Sequence, residues 1–209
     1  MTKANKIELA LAEHYPDEKC GLESQGDPFK LLIMAILSAQ CTDKRINEVS
    51  IPLFERFPDA ASIVASEPGE LEKYIYSVGL YNSKARSIRA CCKTLCEEFD
   101  NKVPSDMDSL LKLGGVGRKV ANLIRGDVFG LGGIVADTHC IRITNRLGLV
   151  DSEDPKNVEF TLDPLIPKEK QSAFCHRLVV FGRDICTARN PKCGECFLKN
   201  KNLCKGVKS

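Results

Sequence analysis

Four cysteines near the C-terminus form the most specific chemical pattern in this sequence. They have the spacing C-x6-C-x2-C-x7-C within 19 residues. Thiolates so close together, with few apolar residues around them, make a poor core and a good metal site. Four cysteine ligands fit a [4Fe–4S] cluster or a structural zinc ion, and disulfides are the least favoured alternative in a reducing compartment. The four residues are Cys186, Cys193, Cys196 and Cys204.

A glycine-rich turn near the middle of the chain joins two helical segments. Residues 110–121 read LLKLGGVGRKVA, so one helix ends in glycines and a second begins at once. Gly115 and Gly117 let the backbone approach a phosphate, and the N–H groups at the start of the second helix suit that anion. A glycine turn between helices is common by itself. With Arg118 directly after it, the pattern favours binding to DNA phosphates without reading base sequence.

Lys119 lies in the first turn of the second helix, beside an apolar set of side chains. The positive end of the helix dipole and the neighbouring Arg118 both disfavour an ammonium group. A neutral amine is the form that Schiff-base chemistry requires. From this pattern alone, however, an ordinary surface or phosphate-binding lysine is the simpler interpretation.

The segment VADTHCIR, residues 135–142, contributes a carboxylate and an imidazole. Asp137 precedes a helical run, so its simplest role is an N-cap. A carboxylate near Lys119 could also accept a proton or stabilise a developing sugar cation, and the two roles are compatible. His139 is either a residue of the same cleft or a partly buried polar side chain near it.

The elements that must position these residues are predicted to be helices. Asp27 and Pro28 form an N-cap and a first helical residue, and the apolar residues 29–39 that follow indicate a helix buried at the centre of a domain. Thr42 or Asp43 caps the next helix, which Pro52 is expected to bend or shorten. A longer helix is predicted to begin at a Ser83 cap. Further short helices are predicted over residues 106–113, 117–128, 138–147 and 168–181. The expected fold class is all-α.

Composition excludes several classes of protein. The 209 residues are 43% hydrophobic and 28% charged, as in an ordinary soluble domain. Residues 1–100 carry a net charge of −4 and residues 101–209 a net charge of +6, which suits a phosphate partner or a solvated basic face equally. No signal peptide is recognisable, and the longest apolar run is far below the about 20 residues that cross a bilayer. The seven cysteines outside the cluster are predicted to be small core residues.

Taken together, these residues resemble the endonuclease III family of helix-hairpin-helix base-excision glycosylases. The resemblance runs through nearly the whole chain. Its specific segments are LLIMAILSAQ at residues 31–40, GLYNSK at 79–84, the hairpin with Lys119, and the segment from Val135 to His139. Several such segments in the same order make chance similarity a poor explanation.

The resemblance implies a role for each matching residue. Lys119 would be the nucleophile and Asp137 its acidic partner. Gln40 would fill the gap left by an extruded base, and Leu80 would wedge into the duplex from another loop. The four clustered cysteines would hold a [4Fe–4S] cluster rather than zinc. A basic loop around Arg189 and Lys192 would lie against the phosphates.

The resemblance also implies two all-α lobes. A six-helix barrel containing the hairpin would span residues 21–131, and residues 1–20 and 132–209 would form a discontinuous helical domain with the cluster loop. DNA would lie across the cleft between them, with Lys119 and Asp137 meeting at its mouth.

Two departures from the family pattern stand out. The family usually has proline in the hairpin where this chain has Gly114, and the loss of proline is expected to make the turn more flexible and alter DNA affinity modestly. The family usually has five residues between the third and the fourth cysteine, whereas seven residues separate Cys196 from Cys204 here. The longer loop still closes around a cluster, but it makes Cys204 the least secure of the four ligands.

The predicted function is a bifunctional DNA glycosylase and AP lyase that removes oxidised pyrimidines through a lysine Schiff base and cuts 3′ to the lesion by β-elimination. The alternatives are a lyase for abasic sites, a photodimer-specific glycosylase, and a non-catalytic damage-binding protein. The expected partner is double-stranded DNA with a damaged base or abasic site, with no membrane partner. The expected state is a cytoplasmic monomer, associated with the nucleoid if the source is bacterial.

Overall fold

The computed structural model describes residues 1–206, and this part of the chain is helical without a strand. The all-α prediction is therefore confirmed. The helices in the described residues are α1 Lys3–His14, α2 Pro28–Leu37, α3 Asp43–Arg56, α4 Ala60–Val64, α5 Glu70–Ile75, α6 Tyr81–Glu98, α7 Met107–Lys112, α8 Arg118–Asp127, α9 Thr138–Arg146, α10 Pro155–Leu162, α11 Lys168–Asp184 and α12 Phe197–Asn200.

The chain divides into two compact units. Cys20–Phe129 forms one, which we call the hairpin unit; Met1–Lys19 and the described part of Gly130–Ser209 form the other, the cysteine unit. Each unit has its own hydrophobic core. In the described residues, no helix combines the length and apolar content needed to cross a membrane.

Helix α2 is the central element of the hairpin unit. Asp27 caps it by accepting hydrogen bonds from the N–H groups of Phe29 at 2.8 Å and Lys30 at 3.1 Å, and Pro28 is its first residue. Its residues from Leu31 to Leu37 are all buried, and the helix packs against α3, α6 and α8. The predicted cap and buried central helix are both confirmed.

Two local predictions in the hairpin unit need correction. Helix α6 begins at Tyr81 rather than after Ser83, because Leu80 turns the chain in a left-handed conformation and its carbonyl already accepts from the Ser83 N–H. Helix α3, which Pro52 was expected to bend or shorten, runs through Pro52 to Arg56 and is therefore not shortened. Proline removes one hydrogen bond from the helix, but Leu53 and Phe57 beyond it are fully buried and anchor its last turn.

In the cysteine unit, α11 packs against both α1 and α9. Glu8 of α1 is buried and lies 2.8 Å from the ammonium of Lys170 and 3.5 Å from the guanidinium of Arg177, both on α11. A buried carboxylate is costly unless it is paired. These contacts therefore fix the N-terminal helix onto the C-terminal part of the chain.

Candidate functional site

The glycine turn joins α7 to α8 as a helix-hairpin-helix. Gly115 has φ +76, in the left-handed region that favours glycine. Gly117 is the N-cap of α8 and makes no side-chain cap hydrogen bond. The first N–H groups of a helix lack acceptors within it, so an uncapped start leaves them to an external anion. Arg118 and Lys119 are the first two residues of this helix.

Lys119 is exposed at the start of α8, whereas Ala121 and Ile124 of the same helix are buried in the core. The helix is anchored by its apolar side while it presents a primary amine to solvent in its first turn. The amine is thus accessible to a substrate and lies directly beside the hairpin amides, as the sequence predicts.

The hairpin turn is packed closely against α6. A Cβ atom added to Gly114 would lie 2.7 Å from the Cβ of Ala90, 2.9 Å from the Cys91 nitrogen and 2.9 Å from the Ser87 oxygen. One added to Gly115 would lie 2.8 Å from the Cβ of Ser87. The glycines therefore bring the hairpin close to α6, so Gly114 permits a close packing contact that the sequence did not predict.

Gln40 and Leu80 share an uncommon backbone conformation. Their φ values are +58 and +61, and neither residue is glycine. A left-handed conformation costs an L-residue roughly 1–2 kcal/mol. Both side chains are exposed, and Leu80 retains 63% of its accessible surface. Strained backbone conformations of this kind concentrate at binding and catalytic sites.

Asp137 is the N-cap of α9 in the cysteine unit. Its Oδ1 accepts a hydrogen bond of 2.8 Å from the Cys140 N–H, and its carbonyl accepts from the Ile141 N–H at 2.9 Å. The side chain is half-buried. The predicted capping role is confirmed, and it holds the carboxylate in a fixed orientation at the start of the helix.

His139 follows on the same helix and is half-buried. Its Nδ1 lies 3.2 Å from Nη2 of Arg142. Gly182 of α11 makes room for this pair, since a Cβ there would contact the His139 ring and lie 2.7 Å from the Arg142 Nη2. His139 is therefore packed into the contact between α9 and α11.

The four clustered cysteines line one pocket of the cysteine unit, of about 360 Å³ including the part open to solvent. None of them forms a disulfide. Burial raises the pKa of the Cys196 thiol, and the nearby Cys204 and Cys186 raise it further. Four cysteines that line one pocket without a disulfide among them provide the donor set of a metal cluster, so the residues fit an iron–sulfur cluster. Lys199 also lines this pocket.

The long spacing before Cys204 is taken up by local structure. Helix α12 forms directly after Cys196, Leu198 within it is fully buried, and Asn202 has φ +56. The Leu203 N–H then donates to the Leu198 carbonyl at 2.9 Å. This helical turn and reversal use the additional residues and still bring Cys204 to the pocket.

Two arginines of α9 hold the segment that begins at Cys186. Nη1 of Arg146 donates to the Cys186 sulfur at 3.4 Å and to the Thr187 carbonyl at 2.7 Å. Nη2 of Arg142 donates to the Cys186 carbonyl at 3.0 Å. Sequence reasoning missed both arginines because their partners lie 40 or more residues away in the chain, beyond any local pattern.

The two basic residues predicted for the cluster loop are on the surface. Arg189 is exposed, and the exposed Lys192 lies 3.8 Å from the Asp184 carboxylate. Of the other seven cysteines, Cys91, Cys92, Cys140 and Cys175 are buried and the rest are half-buried. The prediction that they are mostly small core residues agrees with these positions.

Comparison with known proteins identifies the family. Residues 33–168 match the HhH-GPD superfamily of base excision DNA repair proteins, and residues 186–200 match the iron–sulfur binding domain of endonuclease III. The second match ends before Cys204, the predicted ligand with the unusual spacing.

Relatives match over nearly their full length. The chain is 42% identical over 208 residues to endonuclease III of Synechocystis sp., covering 99% of this chain and 94% of the relative. It is 39% identical to endonuclease III of Bacillus subtilis, covering 98% and 94%.

Solved structures agree with this assignment. A trapped endonuclease III–DNA covalent intermediate matches with a TM-score of 0.88 at 42% identity, covering 98% of this chain and 97% of that one. A thermostable thymine-DNA glycosylase, at 22% identity and a TM-score of 0.86, shares the fold. The chain belongs to the endonuclease III family of helix-hairpin-helix base excision DNA repair proteins.

Proposed function

We propose that this chain removes oxidised pyrimidines from duplex DNA and cuts the strand 3′ to the lesion, with Lys119 as its nucleophile. The observation that carries the proposal is an exposed lysine in the first turn of α8, directly after an uncapped glycine hairpin. This position offers a primary amine next to amides suited to a phosphate.

The general activity follows from the family. The chain is a bifunctional DNA glycosylase and AP lyase of base excision repair, which favours this interpretation over the abasic-site lyase, the photodimer glycosylase and the non-catalytic binding protein. Two endonuclease III structures at 42% and 41% identity are complexes with DNA, one of them a covalent intermediate. They support DNA as the partner of this chain.

In our proposal the hairpin binds the DNA backbone through its amides. Gly115 and Gly117 keep the turn free of side chains, and Arg118 adds positive charge next to it. On the cysteine unit, His139 and the exposed Arg189 and Lys192 would contribute further DNA contacts. Binding through phosphates suits a repair enzyme, which must act in any sequence context.

The damaged nucleotide must leave the stack before its sugar can be attacked. Gln40 and Leu80 would occupy the space that it leaves. Their exposure and left-handed backbone support this role, because each side chain stands on a tight turn of the hairpin unit rather than within a helix.

The chemistry proposed for Lys119 and Asp137 is a displacement followed by an elimination. The Nζ lone pair of Lys119 forms a bond to C1′ of the sugar, the bond from C1′ to the base breaks, and its electron pair leaves with the base. Asp137 accepts a proton and offsets the positive charge that develops on the sugar. The nitrogen lone pair then forms the imine as the C1′–O4′ bond breaks, and O4′ takes up a proton as the sugar ring opens. The imine acidifies the C2′ proton. Loss of that proton expels the 3′ phosphate, and hydrolysis then releases Lys119.

The chain binds a [4Fe–4S] cluster through its iron–sulfur binding domain. We assign Cys186, Cys193, Cys196 and Cys204 as the ligands, because all four line the same pocket. When bound, the cluster supplies a rigid cross-link between these residues. The protein residues around it, such as Arg146, would then hold the loop that carries Arg189 and Lys192.

We further propose a domain organisation, an oligomeric state and a cellular location for this protein. Residues 21–131 would act as the barrel domain with the hairpin, and residues 1–20 and 132–209 as the cluster domain. The enzyme would work as a monomer in the cytoplasm, in association with the nucleoid if bacterial.

The deciding experiment is sodium borohydride trapping on a duplex with one thymine glycol, with free-base release followed in parallel. We expect the wild type to form a covalent adduct and release the base. Lys119→Gln should lose both while keeping DNA affinity within about threefold, because one neutral substitution leaves the hairpin amides intact. Lys112→Gln, which removes an exposed lysine from the same hairpin, is the matched control and should behave as the wild type.

Each other outcome identifies a different error. Adduct formation by Lys119→Gln would exclude Lys119 as the nucleophile. An adduct on abasic DNA without release of thymine glycol would replace the oxidised-pyrimidine assignment with the abasic-site lyase or the photodimer glycosylase. Binding without either signal would favour the damage-binding protein.

A further inference from the structure

Lys84 of α6 is a buried cation that the proposed chemistry does not use. Only 5% of its surface is accessible, and its ammonium donates hydrogen bonds to the carbonyls of Leu37 at 2.8 Å and Ala39 at 2.6 Å. Burial lowers the pKa of this side chain. Among residues 1–206, no carboxylate lies within ion-pair distance of it. A buried ammonium that is hydrogen-bonded to carbonyl groups and not paired with a carboxylate is costly, so its position calls for an explanation.

The partners of Lys84 lie at the C-terminal end of α2. Leu37 is the last residue of that helix, and the last carbonyls of a helix lack partners within it and carry partial negative charge. The ammonium donates to two carbonyls, one at the end of α2 and one just beyond it. The Ala39 carbonyl belongs to the same peptide group as the Gln40 N–H. Lys84 thus fixes the peptide that leads into the left-handed Gln40.

Lys84 is also connected to Leu80. Its main-chain N–H donates to the Leu80 carbonyl at 3.1 Å, in the first turn of α6. Leu80, like Gln40, has a left-handed backbone conformation. One residue therefore contacts, through its side chain and its main chain, both turns that carry the proposed gap-filling residues.

We propose that Lys84 is a positioning residue that sets the places of Gln40 and Leu80 relative to each other before DNA binds. The inference rests on the proposed gap-filling roles of these two residues. A side chain that must enter a stack of bases is effective only if it is already in place, because small misplacements reduce the rate strongly. The hydrogen bonds to Leu37 and Ala39 hold the Gln40 turn against α6, whose first turn holds Leu80.

A purely structural role as a cap of α2 is the competing explanation, and it predicts a different pattern of effects. A structural defect would reduce all activities of the enzyme together. A positioning defect would affect only reactions in which a gap in duplex DNA must be filled. Cleavage of a preformed abasic site in single-stranded DNA uses the lysine chemistry without such a gap.

The test uses Lys84→Met, an unbranched side chain that is one atom shorter and lacks the charge and the donors. The matched control is Lys93→Met on the same helix, where the lysine is exposed and pairs loosely with Glu97 at 3.8 Å. Single-turnover base release from thymine glycol duplex and β-elimination on single-stranded abasic DNA are measured for each variant. The visible absorbance of the bound cluster and the thermal unfolding curve report on folding.

We expect Lys84→Met to slow base release from duplex about tenfold or more, while single-strand cleavage stays within about twofold of the wild type. In the Gln40→Ala background the same substitution should cause a further loss of less than about twofold, because a residue that acts through Gln40 has no additional effect once Gln40 is gone. Lys84→Arg, which retains charge and donors, should recover part of the rate.

Three results would overturn the inference. Equal losses on duplex and single-stranded DNA would indicate a structural role. Losses that multiply in the Gln40→Ala background would show that Lys84 does not act through Gln40. No loss in Lys84→Met would show that its contacts are dispensable. If Lys84→Met does not fold, Lys84→Gln is taken through the same measurements, because its amide retains a donor.

The proposed function fails in a distinguishable way. If Gln40→Ala and Leu80→Ala each release base from duplex at the wild-type rate, the gap-filling roles are wrong whatever Lys84→Met does. If those two variants are slow and Lys84→Met is not, only the positioning inference is wrong.

Discussion

Leu80 of the hairpin unit has a backbone conformation that an L-residue adopts only at a cost in free energy. Leu80 has φ +61 although it is not glycine, and 63% of its surface is exposed. Neither property stabilises the folded chain. An apolar side chain on a strained, exposed turn is instead consistent with a surface that is completed by a ligand, which supports the proposal that Leu80 enters DNA.

Leu80→Gly separates stability from function. Glycine adopts positive φ without steric cost, and the lost side chain buries little, so we expect the free energy of unfolding to rise by roughly 0.5–1 kcal/mol. Base release from thymine glycol duplex should fall, because no side chain remains to fill the gap. Chemical denaturation and single-turnover kinetics measure the two effects.

Leu111→Gly is the matched control for this prediction. Leu111 is 38% exposed but lies within α7, where glycine costs about 1 kcal/mol relative to a good helix former. The control should lose stability where Leu80→Gly gains it. A loss of stability in Leu80→Gly would mean that the left-handed turn is not strained, and unchanged base release would remove Leu80 from the proposed site.

Among the helices, the sequence predicted those starts that depend on a capping side chain close by in the chain. The caps Asp27, Thr42 and Asp137 each occupy the predicted position because a short side chain satisfies nearby backbone N–H groups. It failed at the start of α6, which depends on the left-handed Leu80 rather than on a capping side chain. The contacts of Lys84 could not be predicted, since they join residues 45 or more positions apart.

The contact between the hairpin and α6 is another feature that local sequence could not predict. The backbone at Leu113, with φ −72 and ψ 135, would accept a following proline, as the family pattern has. Space excludes it, because a Cβ at Gly114 would lie within 2.9 Å of Ala90, Cys91 and Ser87. No pattern in the hairpin sequence reveals how close another helix comes.

Gly114→Pro, which restores the residue usual in the family, should therefore destabilise this protein. We expect a loss of about 1–3 kcal/mol in the free energy of unfolding, because α6 must move to admit the ring. Gly114→Ala should cost a similar amount, since its Cβ meets the same atoms. Gly117→Ala is the control: its Cβ would meet open space at φ −99, so it should cost only the poorer N-cap preference of alanine, about 0.5 kcal/mol. Gain of stability in Gly114→Pro would show that the contact with α6 is not limiting.

In the whole molecule, one of the two units is built from two separate stretches of the chain. The cysteine unit comprises residues 1–19 and the residues from Gly130 onward, and the hairpin unit lies between these stretches in sequence. The proposed reaction draws on both, with Lys119 in one unit and Asp137 in the other. Local patterns alone favoured an ordinary lysine and a helix cap at these two positions, and the resemblance to the family gave both residues their proposed roles.

The separate cores predict how the molecule responds to loss of its cluster. The four cysteines and the pocket that they line belong to the cysteine unit, and Arg146 connects α9 to the loop at Cys186. Removing iron by chelation would leave these sulfur atoms without the cluster that we propose they hold. Hydrogen exchange in residues 186–206 and at the end of α9 should then accelerate about tenfold or more, as local opening becomes easier. Peptides from α2 and α6, whose contacts lie in the other core, should exchange as in the holoenzyme.

Mock-treated holoenzyme carried through the same steps is the control. Equal acceleration in α2 and α6 would mean that the two cores unfold as one cooperative unit, and unchanged exchange in residues 186–206 would mean that the cluster does not hold this loop.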